Sequence, residues 1–304
     1  VTTLRVADLF AGLGGFSEGA RQAGARVVWA ANHWREAVDT HALNHPETQH
    51  LCQDLHQARW DEVPEHDLML ASPACQGHTR ARGKERAHHD ATRSSALAVL
   101  GAVDYHRPPF LLVENVPEFR QWDGYPAWCG MLRAFGYELT ENVLNAADFG
   151  VPQSRERLFV MATRGGKLPL HAPGLPHVAA ESFIAWDHPR WSPVLKPGRA
   201  PATWFRFRRG RRAHGERFLL AYYGSERGGR PVTEPIGTIT TRDRFAVVRG
   251  REMRMLTAQE CRAAMGFPAE YALPRSHKLA VHMLGNAVCP PVARELVRQV
   301  LEVA

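Results

Sequence analysis

Along residues 1–163, short apolar runs alternate with longer stretches whose apolar positions recur every three or four residues. Residues 4–10, 26–31, 67–71, 110–114 and 158–163 are predicted as strands, and 16–23, 34–44, 92–105 and 125–135 as helices. A further short strand is expected just before Asp54. This alternation is the pattern of an α/β domain built on a parallel sheet. From about Gly165 to Arg212 the rhythm fails and Pro, Gly, Trp and Arg take over with little periodicity, so a domain boundary is expected there. Helical texture returns at Thr257, where Glu260 stands three residues after a threonine in a capping-box pattern. A last helix is predicted from Pro290 and Pro291, whose missing amide hydrogens cost nothing in a first turn.

A chain of 304 residues supports one large domain or two modest ones. With 44% hydrophobic and 23% charged residues it is an ordinary folded protein, which excludes wholesale disorder or a fibrous repeat. Apolar runs such as 68–70 and 110–113 fall far short of the ~20 residues a bilayer crossing needs. The first residues enter a strand-like run with no basic region and no long apolar stretch, so no secretory signal is read and a soluble, cytoplasmic protein is expected. Five widely spaced cysteines without a Cys-x-x-Cys pair predict neither a disulfide framework nor a zinc site. The net charge of +7 is unevenly placed: residues 186–254 hold sixteen Lys and Arg against six Asp and Glu, leaving the rest of the chain at −3. A basic block beside a mildly acidic remainder points to a polyanion partner for one part of the chain. A solvated cationic face is the competing reading, since arginine outnumbers lysine 34 to 4.

The candidate chemistry sits at strand ends. The first strand runs into Asp8-Leu9-Phe10-Ala11-Gly12-Leu13-Gly14-Gly15-Phe16, and glycines at a strand-to-helix turn let a ligand approach the backbone. The turn alone suits NAD or FAD equally, although the G-x-G-x-x-G spacing is absent. Asp54 is read either as an acceptor for an adenine amine or as a helix cap. Ser72-Pro73-Ala74-Cys75-Gln76 puts a cysteine in a loop after a strand, where open α/β sheets carry their active sites; a lone Cys is otherwise a small buried hydrophobe. Glu114 ends an apolar strand, and burial near Cys75 would favour its protonated form. Arg155 and Arg157, two apart in an extended segment, are expected on one side.

In this order the segments resemble the DNA (cytosine-5) methyltransferase family, from Asp8 to Val292. The glycine turn is similar to the family's S-adenosylmethionine loop, Pro73-Ala74-Cys75-Gln76 to its Pro-Cys loop, Glu114-Asn115-Val116 to its Glu-Asn-Val motif, and Gln153-Ser154-Arg155-Glu156-Arg157 to its Gln-x-Arg-x-Arg. Arg254-Met255-Leu256-Thr257 with Glu260 and Gly266-Phe267-Pro268, then Gly285-Asn286-Ala287-Val288 before Pro290-Pro291, match its last two motifs. Two departures stand out: Ala74 replaces a second proline before the cysteine, and Asn32-His33-Trp34 stands where an acid usually binds the cofactor ribose.

The resemblance implies a Rossmann-like S-adenosylmethionine-dependent methyltransferase sheet with a smaller, mostly irregular or β target-recognition domain. It implies a catalytic domain at 1–170, target recognition at 171–278, and a segment 279–304 returning to the catalytic sheet. The implied catalytic residues are Cys75 as nucleophile, Glu114, Arg155, Arg157 and Gln76. The implied cofactor contacts are Phe10, Gly12, Leu13, Gly14, Gly15, His33, Trp34, Asp54, Leu55, Pro73, Asn286 and Val288. Duplex DNA, from which the cytosine is flipped, would meet Thr79, Arg206, Arg208, Arg209, Arg211, Thr240, Thr241 and Arg242, with Thr240 matching a phosphate-contacting threonine. Trp204, Phe205 and Phe207 are read as core of the smaller domain ahead of base contacts. The expected enzyme is monomeric, with no metal and no membrane partner, and a cognate restriction endonuclease is left open. One branch of the family methylates transfer RNA; the long basic insert favours duplex DNA.

Overall fold

The computed structural model describes residues 3–74, 87–222 and 228–304. By its internal contacts the chain divides into two units, a larger one of residues 1–145, 156–174 and 287–304 and a smaller one of 146–155 and 175–286. This differs from boundaries at 170 and 278, because residues 146–155 and 279–286 make their contacts within the smaller unit.

The larger unit is a seven-stranded sheet of β1 (Arg5–Leu9), β2 (Arg26–Asn32), β3 (Gln49–Cys52), β4 (Leu68–Ala71), β5 (Phe110–Asn115), β6 (Glu138–Asn145) and β7 (Glu156–Thr163), in the order β3-β2-β1-β4-β5-β7-β6. The first five are parallel, as the alternation predicts, whereas β7 runs antiparallel to both β5 and β6. β6 has no clear signature in the sequence because it is an edge strand whose residues are at most half-buried, so it shows no apolar alternation. Helices α1 (Gly15–Gln22), α2 (Arg35–Asn44), α3 (Ala87–His106), α4 (Tyr125–Ala134) and α8 (Pro290–Leu301) cover the sheet.

Alternation along the buried strands gives two cores. Ala7, Leu9, Met69, Ala71, Leu111 and Val113 face Phe119, Tyr125 and Trp128, and Trp128 Nε1 donates to the Ala96 carbonyl at 2.9 Å. On the other side α1 packs so closely on α8 that a Cβ at Gly19 would lie 2.3 Å from that of Ala293.

The smaller unit carries a five-stranded sheet of β8 (Ser192–Pro193), β9 (Arg217–Ala221), β10 (Arg230–Pro231), β11 (Phe245–Arg249) and β12 (Glu252–Met255), in the order β10-β9-β11-β12-β8. It also holds α5 (Pro201–His214), α6 (Ala258–Ala264) and α7 (His277–Asn286). α5 corrects the expectation of an irregular segment. Only Thr203, Phe207 and Gly210 are buried, so the apolar period is hidden among arginines. Its punctuation is nevertheless present, with Pro201 in the first turn and Gly215 after the end at φ 77°.

The capping box forms as expected and is part of a larger knot. Glu260 accepts both Arg254 terminal nitrogens at 2.6 and 2.7 Å, the Thr257 amide at 2.8 Å and the Ala185 amide at 2.9 Å. Burial pushes the Glu260 carboxyl up, but the hydrogen bonds from Arg254, Thr257 and Ala185 outweigh it and hold the group below its ordinary range. Glu260→Ala is expected to cost about 3–5 kcal/mol in urea unfolding, because the buried Arg254 guanidinium loses its counter-charge. Since the folded-state value is depressed, the contribution of Glu260 is complete above the ordinary carboxylate range and is lost as pH falls through the depressed value. Glu260→Gln is therefore expected to flatten the acid limb of the stability profile.

Candidate active site

The parallel register aligns the carboxyl ends of the strands. Leu9 pairs with Ala31 and with Ala71, and Ala71 with Val113, so Phe10, Asn32, Ser72 and Glu114 leave the sheet along one edge. The described residues of the larger unit that the sequence predicts as catalytic or cofactor contacts, other than Arg157 and Val288, lie at or just beyond this edge, where open α/β sheets place their sites.

At the end of β1 the chain turns through three left-handed residues, Phe10 (φ 61°), Gly12 (φ 55°) and Gly14 (φ 93°). A bulky residue with positive φ is costly, and such strain concentrates at ligand sites. The turn is held by Ala11 N donating to Ala31 O at 2.9 Å and Gly14 N to Ala11 O at 2.8 Å. A Cβ on Gly15 would come 2.0 Å from the Val288 carbonyl, so only glycine lets α1 start against the segment before α8. Leu13 and Val288 are buried there, while Phe10 and Gly12 are half-exposed. Asn32 Oδ1 accepts the Trp34 amide at 3.0 Å, which leaves His33 exposed and Trp34 half-buried at the start of α2.

Behind the turn lies a buried polar chain of which the glycine-turn motif contains only Asp8. Ser17 Oγ donates to Asp8 Oδ2 at 2.7 Å and lies 3.0 Å from His41 Nε2, and His41 Nδ1 lies 2.8 Å from His50 Nε2. With Ser17 donating to Asp8, His41 Nε2 donates to Ser17 and His50 to His41. Burial pushes Asp8 up to about 7 and holds His41 well below the usual imidazole range, so His41 is neutral. Asp8 Oδ1 accepts no hydrogen bond among the described residues.

The site fits a cationic methyl donor better than a dinucleotide. Residues 8–17 contain no Lys or Arg, and behind the glycine turn they place the buried Asp8 carboxyl, whose Oδ1 accepts no hydrogen bond among the described residues. Asp54 takes the capping alternative: its Oδ1 accepts the His56 amide at 3.0 Å and faces His56 Nδ1 at 2.8 Å, at the start of the turn 55–57. Leu55 behind it is buried.

Glu114 is buried at the end of β5, and its Oε1 pairs with Arg157 Nε at 3.1 Å. The antiparallel β7 makes this possible. Glu114 lies opposite Phe159, so Arg157, two residues earlier on the same face, is its diagonal neighbour. A parallel β7 would start at the far edge of the sheet. Next to it Asn115, 2% exposed, donates from Nδ2 to the Pro73 carbonyl at 3.1 Å and accepts the Val116 amide at 2.9 Å. Asn115 thus ties the loop that leads to Cys75. The sequence predicts no role for it, although it sits inside the Glu-Asn-Val motif. Cys75, Gln76 and Thr79 lie outside the described residues.

The two arginines expected on one side are separated. Arg155, 3% exposed, donates to the carbonyls of Ile239 at 3.2 Å and Gly285 at 3.0 Å inside the smaller unit, while Arg157 belongs to β7. The spacing argument fails because the strand begins only at Glu156. Gln153, for which the sequence likewise predicts no role, is a hub of the smaller unit: it accepts the Ile239 amide at 2.7 Å and donates to Ala264 O at 3.2 Å. Thr240 and Thr241 are half-buried, with their backbone against Gly285; Thr240 Oγ1 donates to the Arg242 carbonyl at 3.1 Å, and Arg242 is exposed. Asn286 ends α7, with Nδ2 3.4 Å from His282 Nε2. In α5, Phe207 is core, Phe205 is exposed, and Arg208 covers the half-buried Trp204 at 4.5 Å. Among the described residues no cluster of metal-ligating side chains and no membrane-length apolar helix occurs.

A family profile described as C-5 cytosine-specific DNA methylase matches residues 4–186 and 202–302. The chain is 26% identical over 306 residues to Type II methyltransferase M.NlaX of Neisseria lactamica, covering 97% of this chain and 95% of that protein. It is 32% identical over 188 residues to DNA (cytosine-5)-methyltransferase 1 of Gallus gallus, covering 55% of this chain and 12% of that much longer protein. The same fold occurs in a putative DNA modification methyltransferase encoded within an E. coli prophage, with a TM-score of 0.73, 19% identity and 99% of both chains covered. It occurs again in the Dnmt2 methyltransferase of S. pombe, with a TM-score of 0.69, 20% identity and 99% of both chains covered. With the glycine turn, the Glu114–Arg157 pair and the ordered motifs, these likenesses make the chain a member of the C-5 cytosine-specific DNA methylase family, a DNA (cytosine-5)-methyltransferase that uses S-adenosylmethionine.

Proposed function

We propose that Cys75 adds to carbon 6 of a cytosine flipped out of duplex DNA, and that Glu114 and Arg157 stabilise the charge this addition creates. The observation that carries the reading is the buried Glu114–Arg157 pair, next in the sheet to the strand end that leads to Cys75. Carbon 5 of cytosine is a weak nucleophile, and a covalent route is the means of activating it. The Cys75 thiolate forms the sulfur–carbon 6 bond, and the ring electrons move toward nitrogen 3 and the carbonyl oxygen. Protonated Glu114 gives its proton to nitrogen 3, and Arg157 faces the oxygen. An ordinary thiol, with a pKa of about 8.5, is only a few per cent thiolate at neutral pH, and a nearby guanidinium raises that fraction. S-adenosylmethionine, when bound, supplies an electrophilic methyl on its sulfonium. Once carbon 5 is methylated, the carbon 5 proton leaves to a base, for which water is the expectation; elimination restores the Cys75 thiolate and the carbon 5–carbon 6 double bond, and nitrogen 3 returns its proton to the Glu114 carboxylate.

The larger unit acts in this reading as the catalytic domain and the smaller one as the target-recognition domain. Phe10, Gly12, Leu13, Gly14, Gly15, Leu55, Pro73 and Val288 shape the cofactor site. Trp34 stacks on the adenine, His33 bonds the ribose, and Asp54 offers its remaining oxygen to the adenine amine. Thr240, Thr241, Arg242 and Thr79 contact the DNA, and Gln76 joins Cys75 among the catalytic residues. Arg155 holds the recognition segment through its two backbone carbonyls.

The test is covalent trapping. Duplex oligonucleotides carrying 5-fluorocytosine at the target position, found beforehand by bisulfite sequencing of DNA from cells expressing the protein, are incubated with S-adenosylmethionine. Fluorine cannot leave as a cation, so a stable protein–DNA adduct mapping to Cys75 is expected. Absence of the adduct while normal duplex is still methylated would overturn the covalent route. A tritium-transfer assay offering duplex DNA and transfer RNA in parallel is expected to label DNA.

A further inference from the structure

α5 carries Arg206, Arg208, Arg209, Arg211 and Arg212 within seven residues and not one acid. Placing like charges one turn apart opposes folding unless something outside the helix offsets it. The five are not equivalent. Arg206 lies 5.6 Å over the Tyr222 ring, and Arg211 pairs with Glu216. Arg208, Arg209 and Arg212 are exposed, whereas Arg206 is half-buried; Arg208 lies 4.5 Å over the Trp204 ring of its own helix, and among the described residues none of the three has an acidic partner. At helical spacing they form one stripe with Phe205, itself 61% exposed. The opposite stripe, Thr203, Phe207 and Gly210, is fixed on the sheet: the Phe207 and Phe218 rings are 6.1 Å apart, and a Cβ on Gly210 would meet Phe218 at 2.3 Å.

The sheet face beneath α5 is set by alternation. Phe218, Leu220, Ala246, Val248 and Met253 form the core with Phe207. Phe245 therefore points to the other face, where it lines a small cavity with Thr240, Arg242, Cys261 and Val281. Arg217, Arg249 and Arg254 share that second face and are occupied with Trp186 and Trp191 at 4.3–4.9 Å. The basic stripe of α5 and the Thr240 segment thus lie on opposite faces of one sheet, and a single groove contact does not use both.

We propose that Arg208, Arg209 and Arg212 are a second, sequence-independent contact for duplex DNA, gripping phosphates outside the segment that holds the target cytosine. The proposal rests on the DNA-methylating reading above and separates the arginines of α5 into phosphate ligands and structural ones. Guanidinium groups suit phosphate oxygens through paired hydrogen bonds, and a helix face with three cations lacking acidic partners among the described residues matches the polyanion that the enzyme already engages.

The test measures binding of the whole protein to a cytosine-free duplex of alternating dA and dT, which offers no target, across a salt series. Each phosphate that is no longer neutralised lowers the slope of log affinity against log salt by roughly 0.9, so R208S/R209S/R212S is expected to reduce it by about 2.7. The KM for genomic DNA is expected to rise while bisulfite sequencing reports the same set of methylated sites. R211S, which removes an internal ion pair, is expected to keep the wild-type slope. An unchanged slope in the triple variant would overturn the proposal, as would an altered set of methylated sites, which would make the stripe a reader of bases. Loss of binding to anionic phosphatidylglycerol vesicles with DNA binding intact would assign the stripe to a membrane and overturn it too. If wild-type protein itself bound duplex DNA with no salt dependence, the failure would lie with the DNA-binding reading rather than with the choice of arginines.

Discussion

Cys75→Ser is expected to lower methyl transfer by on the order of 10⁴-fold or more while leaving S-adenosylmethionine and DNA affinity near wild type. A serine hydroxyl at neutral pH holds far less anion than a thiol and is the poorer nucleophile, so the addition that activates carbon 5 does not occur. The hydrogen bonds that hold the glycine turn and tie Asn115 to Pro73 run between other residues, and the substitution exchanges a single atom, which is why binding is expected to survive. Tritium transfer into DNA reads the rate, and fluorescence anisotropy of a labelled duplex reads the affinity. A variant with full activity would remove Cys75 from the reaction.

Glu114→Gln is expected to cost about 10²–10⁴-fold in turnover, the range for removal of a positioned general acid. Glutamine keeps the shape of the side chain and can still face Arg157, but it has no acidic proton to give to nitrogen 3. The loss should appear in kcat, with a modest change in KM for DNA, since the proton moves in the transition state rather than on binding. Arg157→Lys keeps the charge without the planar fork and is expected to fall between the two. Single-turnover rates with saturating DNA are the measurement. A collapse of DNA affinity with the rate preserved would show that Glu114 holds the base without moving its proton.

Much of the fold is legible one-dimensionally. The four inner parallel strands, the glycine turn, the capping box at Thr257 and the helix at Pro290 all rest on interactions between residues close in the chain or on burial on both faces, and both leave a local signature. β6 and α5 leave little, because the one is an exposed edge and the other hides a three-residue buried stripe among arginines.

Sequence alone determined the family resemblance and the order of the chemical groups, because motifs at strand ends are short and contiguous. Only the tertiary structure decided which groups meet. Arg155 and Arg157 are two residues apart, yet one donates to carbonyls 84 and 130 positions away and the other pairs with Glu114. The reversal of β7 and the tie from Asn115 to Pro73 are likewise decided by how separate segments come together. Spacing along a chain fixes a side chain's direction within one element, but its partner depends on how elements pack, and that information is not local.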